Sequence, residues 1–536
     1  MKKRLMSLIL AVLMLLGAVG ALAEAAPMEG VELTIWAGQR SNVESLVNNR
    51  FTDYYEQLTG VHVNWIAYVD ELPTQFNLSI ASGDYPDLYT NYDFTTAQVQ
   101  QAIDAGAAIP IEDYLAEYAP NYSRLLEMDP DLKAEMTAPD GHIYSFPRYV
   151  GINNYVASHK LWIYEPWLKA SGLSMPTTLE ELEQLLIYFR DNDMNGNGKD
   201  DEIPMIGSSM ILNQASDPVI PVIDCFEVVT DNWLRADSDG NITTMATTDN
   251  FRAGLSYANK LYEEGLIGEE TYTQNINTHR TNNSPATDDQ VYIGVTGGPD
   301  FARFVTAAYP NRYRTWTFIP PLKKDADSQP QTILQPRRYV PKSLVTTACE
   351  NPEAAVKWLD MGLDPVIQIT SAFGFEGEHW TRVSESPETG IVFQLTDKSL
   401  YAEGAATQNQ TWSLDWWELP TYQGQLYTPF TQQYKEGTDA YYQGTKEKAA
   451  TDAYTAVATD SGMPYGNVWI TDADLDAERA ELATLIEEYV KRSYTEFVMG
   501  IRDVDDDAVW QEYLNELDAM GMEHYMDVCE AFYFGK

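Results

Sequence analysis

Residues 191–202, DNDMNGNGKDDE, carry oxygen-bearing side chains at about every second position, with two glycines between them. Calcium takes about six to eight oxygen ligands, whereas magnesium does not suit so large and flexible a loop. A loop that begins at Asp191 fits the EF-hand pattern, with Glu202 in the twelfth position. A loop that begins at Asp193 instead uses the carbonyl of Lys199 and the side chains of Asp193, Asn195, Asn197, Asp201 and Glu202. A polar turn without metal is the weaker interpretation, because acidic side chains are so dense here.

The elements around this loop argue against a pair of EF-hands. Before it, Thr178 and Glu181 form a capping box, and apolar residues from Leu179 to Phe189 recur at helical spacing. After it, EIPMIGSSM is typical of a strand rather than of a second amphipathic helix. The sequence therefore predicts one calcium ion that braces a loop between a helix and a strand.

Tryptophans are the second group of candidate functional residues. Sugars present flat C–H faces that stack on aromatic rings, while carboxylates and amides bond their hydroxyls. The predicted ligand-binding residues are therefore Trp36, Asp84, Trp380, Trp412, Trp416 and Trp417. Glu378 and Arg382 flank one of them, and Asp415 and Glu418 lie among the last three. For the 412–417 cluster, a core role and a ligand role are equally open. Core packing is favoured for Trp358 and Trp510, and slightly favoured for Tyr144 and Arg148.

The sequence carries none of the common catalytic signatures. It contains no G-x-S-x-G, phosphate-binding loop, G-x-G-x-x-G or H-E-x-x-H motif, and its six histidines are scattered. A secreted glycoside hydrolase remains an alternative, since that chemistry needs only two facing carboxylates. A peptide is the alternative to a sugar as ligand. No catalytic residue is predicted.

Composition and the N-terminus limit the location of the chain. Its 536 residues predict two lobes, and a net charge of −45 argues against binding to nucleic acid or anionic membranes. Residues 1–23 have the basic, apolar and Ala-x-Ala sections of a signal peptide, without a following lipid-anchor cysteine. We expect an exported chain without a further membrane span. The three cysteines, Cys225, Cys349 and Cys529, are too sparse for a disulfide framework, and buried free thiols are expected.

The N-terminal third alternates strands with helices. VELTIWAGQR, VHVNWIAY and PDLYTN have strand character, and residues 43–58 and ELPTQFNLSIASG have helical spacing. This order predicts a parallel, doubly wound α/β sheet whose ligand lies beyond the carboxyl ends of the strands. The C-terminal third is predicted to be helical.

Several segments resemble the family 1 extracellular solute-binding proteins of ABC transporters, and among them the large type that includes alginate-oligosaccharide-binding proteins. The segments are LSIASGDYPDLY, APDGHIYSFPRY, WLKASGLSMPTTLEEL, DMNGNGKDDEIPM, NPEAAVKWLDMG, GFEGEHWTRV, YVKRSYTEFVMGIRD and VWQEYLNELDAMGMEHYMDVCEAFY. Their order and spacing extend over nearly the whole chain after the signal peptide. In that family the loop binds calcium through the register that begins at Asp193.

The resemblance implies a type II periplasmic-binding-protein fold of two α/β lobes that close on an oligosaccharide and are recognised by a membrane permease. A monomer is expected. Crossings between lobes are predicted near residues 146–156, 290–298 and 337–345. The predicted N-terminal lobe comprises residues 24–150 and 296–340, and the C-terminal lobe comprises residues 151–295 and 341–536.

Overall fold

The computed structural model describes residues 28–536 apart from short interruptions. The residues outside the description are 42, 151–153, 209–215, 231, 307–309, 336–338, 387–389, 397–413, 415–418, 424–429, 465–467 and 471. The predicted signal peptide and the tryptophans at 412, 416 and 417 therefore lie outside the described residues.

The strands are numbered in chain order. They are β1 (Val31–Gly38), β2 (Val61–Tyr68), β3 (Leu88–Thr90), β4 (Ser145–Val150), β5 (Leu161–Tyr164), β6 (Ile203–Met205), β7 (Leu234–Ala236), β8 (Ile242–Thr244), β9 (Ile293–Gly297), β10 (Trp316–Ile319), β11 (Thr332–Leu334), β12 (Tyr339–Val345), β13 (Trp380–Ser386), β14 (Gly390–Leu395), β15 (Thr421–Gln423), β16 (Phe430–Gln432) and β17 (Ala458–Asp460).

The α-helices are numbered in the same way. They are α1 (Arg50–Thr59), α2 (Leu72–Ser82), α3 (Thr96–Asp104), α4 (Glu112–Tyr118), α5 (Pro120–Met128), α6 (Pro130–Met136), α7 (Glu165–Ser171), α8 (Leu179–Arg190), α9 (Val219–Asp224), α10 (Asp249–Glu263), α11 (Ile276–Asn282), α12 (Pro352–Met361), α13 (Pro365–Phe373), α14 (Asp439–Thr455), α15 (Ala473–Val498), α16 (Asp507–Met520) and α17 (Met522–Phe534). Within the described ranges, none of these helices is long and apolar enough to cross a membrane.

The chain divides into two compact units. The first comprises residues 1–148, 340–379 and 406–422, and the second comprises residues 149–339, 380–405 and 423–536. A six-stranded sheet with the order β15-β4-β12-β3-β1-β2 runs through the first unit. Its strands β1, β2 and β3 are parallel, with Ile35 opposite both Trp65 and Leu88. The predicted parallel, doubly wound arrangement is confirmed.

The helix after β1 is shorter than the spacing of its apolar residues predicts. It begins at Arg50 rather than near Val43, because the Asn49 side chain caps it by accepting from the Phe51 amide. Upstream, the Ser45 hydroxyl accepts from the amides of residues 47 and 48 and forms a turn. The helix ends at Gly60, whose φ of 73° suits the left-handed cap predicted there.

The second unit is built on a four-stranded sheet with the order β10-β5-β9-β6. Strand β9 is parallel to β6 and antiparallel to β5, with Gly297 opposite Leu161. Helices α8, α10 and α15 contribute buried apolar residues to the core around this sheet. The predicted C-terminal helices are present, and Trp358 and Trp510 are core residues as expected, with 1% and 5% of their surface exposed.

The boundaries between the units fall partly where the sequence predicts and partly elsewhere. Those at 148/149 and 339/340 lie inside β4 and β12, close to two predicted crossings. The predicted crossing at 290–298 is wrong, because β9 pairs with β5 and β6 and lies wholly in the second unit. Residues 296–339 consequently belong to the second unit. Residues 340–379 belong to the first, because β12 pairs with β3 and α12 packs against α4 and α5.

All three cysteines are free. Cys225 and Cys529 are buried, as expected, whereas Cys349 is only partly buried.

A buried carboxylate joins α12 to the start of α5 in the first unit. Asp360 is 3% exposed and accepts hydrogen bonds from the backbone amides of Asn121 and Tyr122, at 3.2 and 2.8 Å. It therefore satisfies amide groups that the first turn of a helix leaves free. Burial raises the pKa of Asp360 to about 6, although these hydrogen bonds act in the opposite direction.

We predict that Asp360→Asn removes a pH dependence of stability. The folded chain holds the Asp360 proton more tightly than the unfolded chain, so stability falls as the pH rises from about 4 to about 6. Over that window the wild type should lose about 3 kcal/mol relative to the variant, which corresponds to a shift of about two pKa units. Scanning calorimetry of both proteins across this range measures the difference. The exposed Asp53→Asn serves as control, and a difference between wild type and Asp360→Asn that does not vary with pH would contradict the prediction.

Candidate functional site

Trp36, predicted to stack on a ligand, is a core residue of the first unit. It is 2% exposed, and the rings of Tyr68, Phe76, Tyr89 and Tyr92 lie within 5.6–6.4 Å of its ring. Strand alternation turns it to the face of the sheet that the Phe76 side chain covers. The Trp36 ring therefore has no open face for a sugar, and the prediction for this residue is wrong for the conformation described here.

A carboxylate that follows β3 holds two cations at the carboxyl end of the first sheet. Asp93 accepts from the Arg148 guanidinium, with an Nε–Oδ1 distance of 2.9 Å, and from Lys342 Nζ at 3.3 Å. Desolvation raises the pKa of Asp93, but the charges of Lys342 and Arg148 outweigh this effect and lower the pKa to about 2. Asp93 therefore stays ionised, and its single negative charge offsets part of the positive charge of Arg148 and Lys342.

Asp84 lies in the turn after α2. Its amide donates to the Ser82 hydroxyl at 3.2 Å, and its carbonyl accepts from the Ser79 hydroxyl at 3.3 Å. The residue is exposed. The backbone of Asp84 thus forms the turn, and its role as a ligand-binding residue stays a prediction.

The group around Trp380 is separated by the boundary between the units at 379/380. Trp380 begins β13 in the second unit, is fully buried and packs on Phe393 with ring centroids 5.8 Å apart. Glu378 lies in the first unit and pairs with Arg50 at 2.8 Å, whereas Arg382 pairs with Glu385. The prediction that Trp380 offers a ligand surface is wrong here, because its ring is enclosed.

The second unit contains a buried ionic cluster at the carboxyl end of β9, which sequence reasoning missed. Lys160 immediately precedes β5, and its Nζ donates to the carbonyls of Asn154 and Pro299 and to the Thr451 hydroxyl, at 2.6–2.9 Å. Burial lowers the pKa of Lys160 to about 7, against the opposing effect of Asp300 and Glu447.

Glu447, on α14, is the acid of this cluster whose two carboxylate oxygens both accept hydrogen bonds. Its Oε1 accepts from the Phe301 amide at 3.0 Å and from Gln443 at 3.2 Å, and its Oε2 accepts from Asn154 at 2.9 Å. Burial and the charge of Asp300 raise the pKa of Glu447 to about 7. Burial likewise raises the pKa of Asp300, which lies three residues after β9. The one sequence signal for the cluster is Gly297-Gly298-Pro299-Asp300 at a strand end.

The predicted metal loop is a compact turn in the second unit. Asp193 accepts from the amides of Gly196, Asn197 and Gly198 at 2.8–3.2 Å. Both glycines have a positive φ, 73° and 74°, which a residue with a side chain adopts only with strain. Glu202 folds back onto the amides of Met194 and Asn195, at 2.8 and 3.3 Å.

The other predicted ligands meet in the same turn. The side-chain amides of Asn195 and Asn197 donate to Asp201 at 3.1–3.2 Å. Asp191 instead pairs with Arg190 Nε at 2.7 Å, outside this set. The oxygens of the register that begins at Asp193 are thus within one loop. Still, nowhere in the described residues do three or more His, Cys, Asp or Glu side chains converge as metal ligands.

The chain is similar to the fructooligosaccharide ABC transporter substrate-binding protein FusA of Streptococcus pneumoniae. The two are 26% identical over 497 residues, which cover 89% of this chain and 85% of FusA. A shorter match, 24% identical over 217 residues and 40% of each chain, is to the polygalacturonan/rhamnogalacturonan-binding protein YtcQ of Bacillus subtilis. No protein-family model matches.

Solved structures agree with this similarity at the level of the fold. FusA in complex with kestose superposes with a TM-score of 0.71 at 24% identity, and a FusA EF-hand mutant with the same score. A human-milk-oligosaccharide (HMO) binding solute-binding protein of Bifidobacterium longum infantis gives 0.73 at 19% identity. Each comparison covers 94% of this chain and 98% of the other. The chain is therefore similar to ABC-transporter substrate-binding proteins along most of its length and has a type II periplasmic-binding-protein fold.

Proposed function

We propose that this protein binds an oligosaccharide outside the cytoplasm and delivers it to the permease of an ABC importer. The observation that carries the proposal is the similarity to FusA along 89% of the chain, together with the shared fold. The polar groups at the carboxyl ends of β3 and β9 lie where ligands of α/β sheets bind. Export through residues 1–23 as a signal peptide belongs to the same proposal.

One structural feature could favour the alternative of a glycoside hydrolase, namely the neighbouring acids Asp300 and Glu447. A general acid must reach the glycosidic oxygen of the substrate. Glu447 is 8% exposed, and both of its carboxylate oxygens accept hydrogen bonds from the protein. It is therefore better placed to anchor α14 than to protonate a substrate, and we propose a binding protein without catalysis.

We predict that a neutral oligosaccharide raises the melting temperature of the protein. Only the folded chain binds, so ligand at a hundred times its dissociation constant should add about 2.7 kcal/mol to the free energy of unfolding. Differential scanning fluorimetry with fructo-, gluco- and galacto-oligosaccharides and with peptides measures this stabilisation, and chromatography of the same samples detects hydrolysis. Stabilisation by peptides alone would reject a sugar as the ligand. Released monosaccharide would support the alternative that the protein is a glycoside hydrolase.

We also propose that the loop binds one calcium ion through Asp193, Asn195, Asn197, the carbonyl of Lys199, Asp201 and Glu202. All of these ligands are oxygens, the type that calcium prefers. The contacts that join Asp193, Asp201 and Glu202 to one turn support the register that begins at Asp193, as does the pairing of Asp191 with Arg190. An ion there would offset the repulsion among the carboxylates and brace the connection from α8 to β6.

We predict that chelation lowers stability and that Asp193→Ala removes this response. At calcium about a hundredfold above its dissociation constant, the loss should be about 2.7 kcal/mol. Asp237→Ala is the matched control, because Asp237 accepts from the amides of residues 239 and 241 in a similar exposed turn outside the loop. Calorimetry with and without chelator measures the change.

Asp201→Ala distinguishes the two registers of the loop. It should abolish calcium binding if the loop begins at Asp193, and only weaken it if Glu202 closes a loop that begins at Asp191. Titration calorimetry with calcium measures both affinities. A wild-type melting temperature that chelator leaves unchanged would contradict the metal site in either register.

A further inference from the structure

Two buried polar atoms at the carboxyl end of β9 have no hydrogen-bond partner among the residues that the structure describes. They are Oδ1 of Asp300, an acceptor, and Nε of Arg303, a donor. The two residues are three apart, at the ends of a short stretch that follows β9. Buried polar groups are nearly always hydrogen-bonded, so water or a bound ligand is expected to supply the partner of each atom.

The side chains that cover these atoms are partly exposed. Arg303 lies over the ring of Tyr155, with its guanidinium carbon 5.3 Å from the ring centroid, and its Nη2 donates to the Tyr155 hydroxyl. Both residues are half-buried, whereas only 9% of the Asp300 surface is exposed.

The chemistry of the two atoms selects the class of ligand. A hydroxyl group donates one hydrogen bond and accepts others, so adjacent sugar hydroxyls satisfy Asp300 Oδ1 and Arg303 Nε together. A uronic acid carboxylate has no hydrogen to give Asp300 and carries the same charge.

One nearby cation has no carboxylate partner among the residues that the structure describes. Arg280 donates through Nε to the carbonyl of Ala302, between Asp300 and Arg303. Its charge would favour an acidic ligand at this position, whereas the free oxygen of Asp300 opposes one. Measurement with both classes of sugar therefore decides between the two residues.

We propose that Asp300 and Arg303, beside Tyr155, form a hydroxyl-binding subsite that selects neutral oligosaccharides over uronic ones. The proposal rests on the proposed function, because it names residues and a ligand class for the same binding activity. It distinguishes two kinds of ligand found among the relatives, the fructooligosaccharide of FusA and the polygalacturonan of YtcQ.

Asp300→Ala is the principal test, with Glu447→Gln as the matched control. Both acids are buried in one cluster, but only Asp300 has an oxygen without a partner. Titration calorimetry with neutral fructo-, gluco- and galacto-oligosaccharides and with oligogalacturonate should show that the wild type prefers a neutral sugar. Its affinity for that sugar should fall about tenfold or more in Asp300→Ala, which corresponds to a lost charged hydrogen bond. In Glu447→Gln it should change by less than about threefold.

Two further variants keep the test decisive if Asp300→Ala does not fold. Asp300→Asn has the same shape without the buried charge, so it should melt no lower than the wild type and still bind more weakly. Arg303→Gln removes the hydrogen-bond donor Nε from a half-buried side chain, and it should weaken binding of the same sugar.

The outcomes separate this inference from the proposed function. Equal affinity in wild type, Asp300→Asn and Arg303→Gln would overturn the subsite and leave oligosaccharide binding intact. A wild type that prefers oligogalacturonate would overturn the selection of neutral sugars. A wild type that binds no oligosaccharide at all would reject the proposed function and the subsite with it.

Discussion

Both units place ionisable side chains where their central strands end, and each of these groups has to be compensated there because a buried charge without a partner is costly. In the first unit Asp93 pairs with Arg148 and Lys342, which come from β4 and β12. In the second, Lys160 and Glu447 are held by donors and acceptors from the segment after β4, from the end of β9 and from α14. These contacts join parts of the sequence that lie far apart and fix them around the strand ends.

The same rule identifies Asp300 and Arg303 as exceptions. Lys160 and Glu447 have hydrogen-bond partners within the described residues, whereas an acceptor on Asp300 and a donor on Arg303, three residues apart, have none there. Such a pair of polar atoms suits a binding surface. Sugars are suitable ligands, because each hydroxyl both donates and accepts. Similarity to FusA and the polar surroundings of β9 thus support the same activity from independent observations.

Local patterns predicted much of the fold. The alternation in β1 and β2, the capping box at Thr178 and the glycine at position 60 are signals between neighbours in sequence, and the structure confirms them. The residues of the proposed calcium loop are also neighbours in sequence, and its metal stays a prediction. Trp36 and Trp380 failed as ligand residues because burial depends on the elements packed over them, which a short window does not contain.

Long-range contacts account for the remaining differences. The assignment of residues 340–379 to the first unit depends on pairing between β12 and β3, more than 240 residues apart along the chain. Lys160 and Glu447 lie more than 280 residues apart in sequence. The unpartnered oxygen of Asp300 can be identified only from the three-dimensional positions of the hydrogen-bond donors around it.

A crystal structure of the protein with a bound neutral oligosaccharide tests the central claim most directly. We expect sugar hydroxyls at about 2.7–3.2 Å from Asp300 Oδ1 and Arg303 Nε, beyond the carboxyl end of β9. A bound sugar that leaves both atoms without a ligand contact, or that lies away from the strand ends, would contradict it.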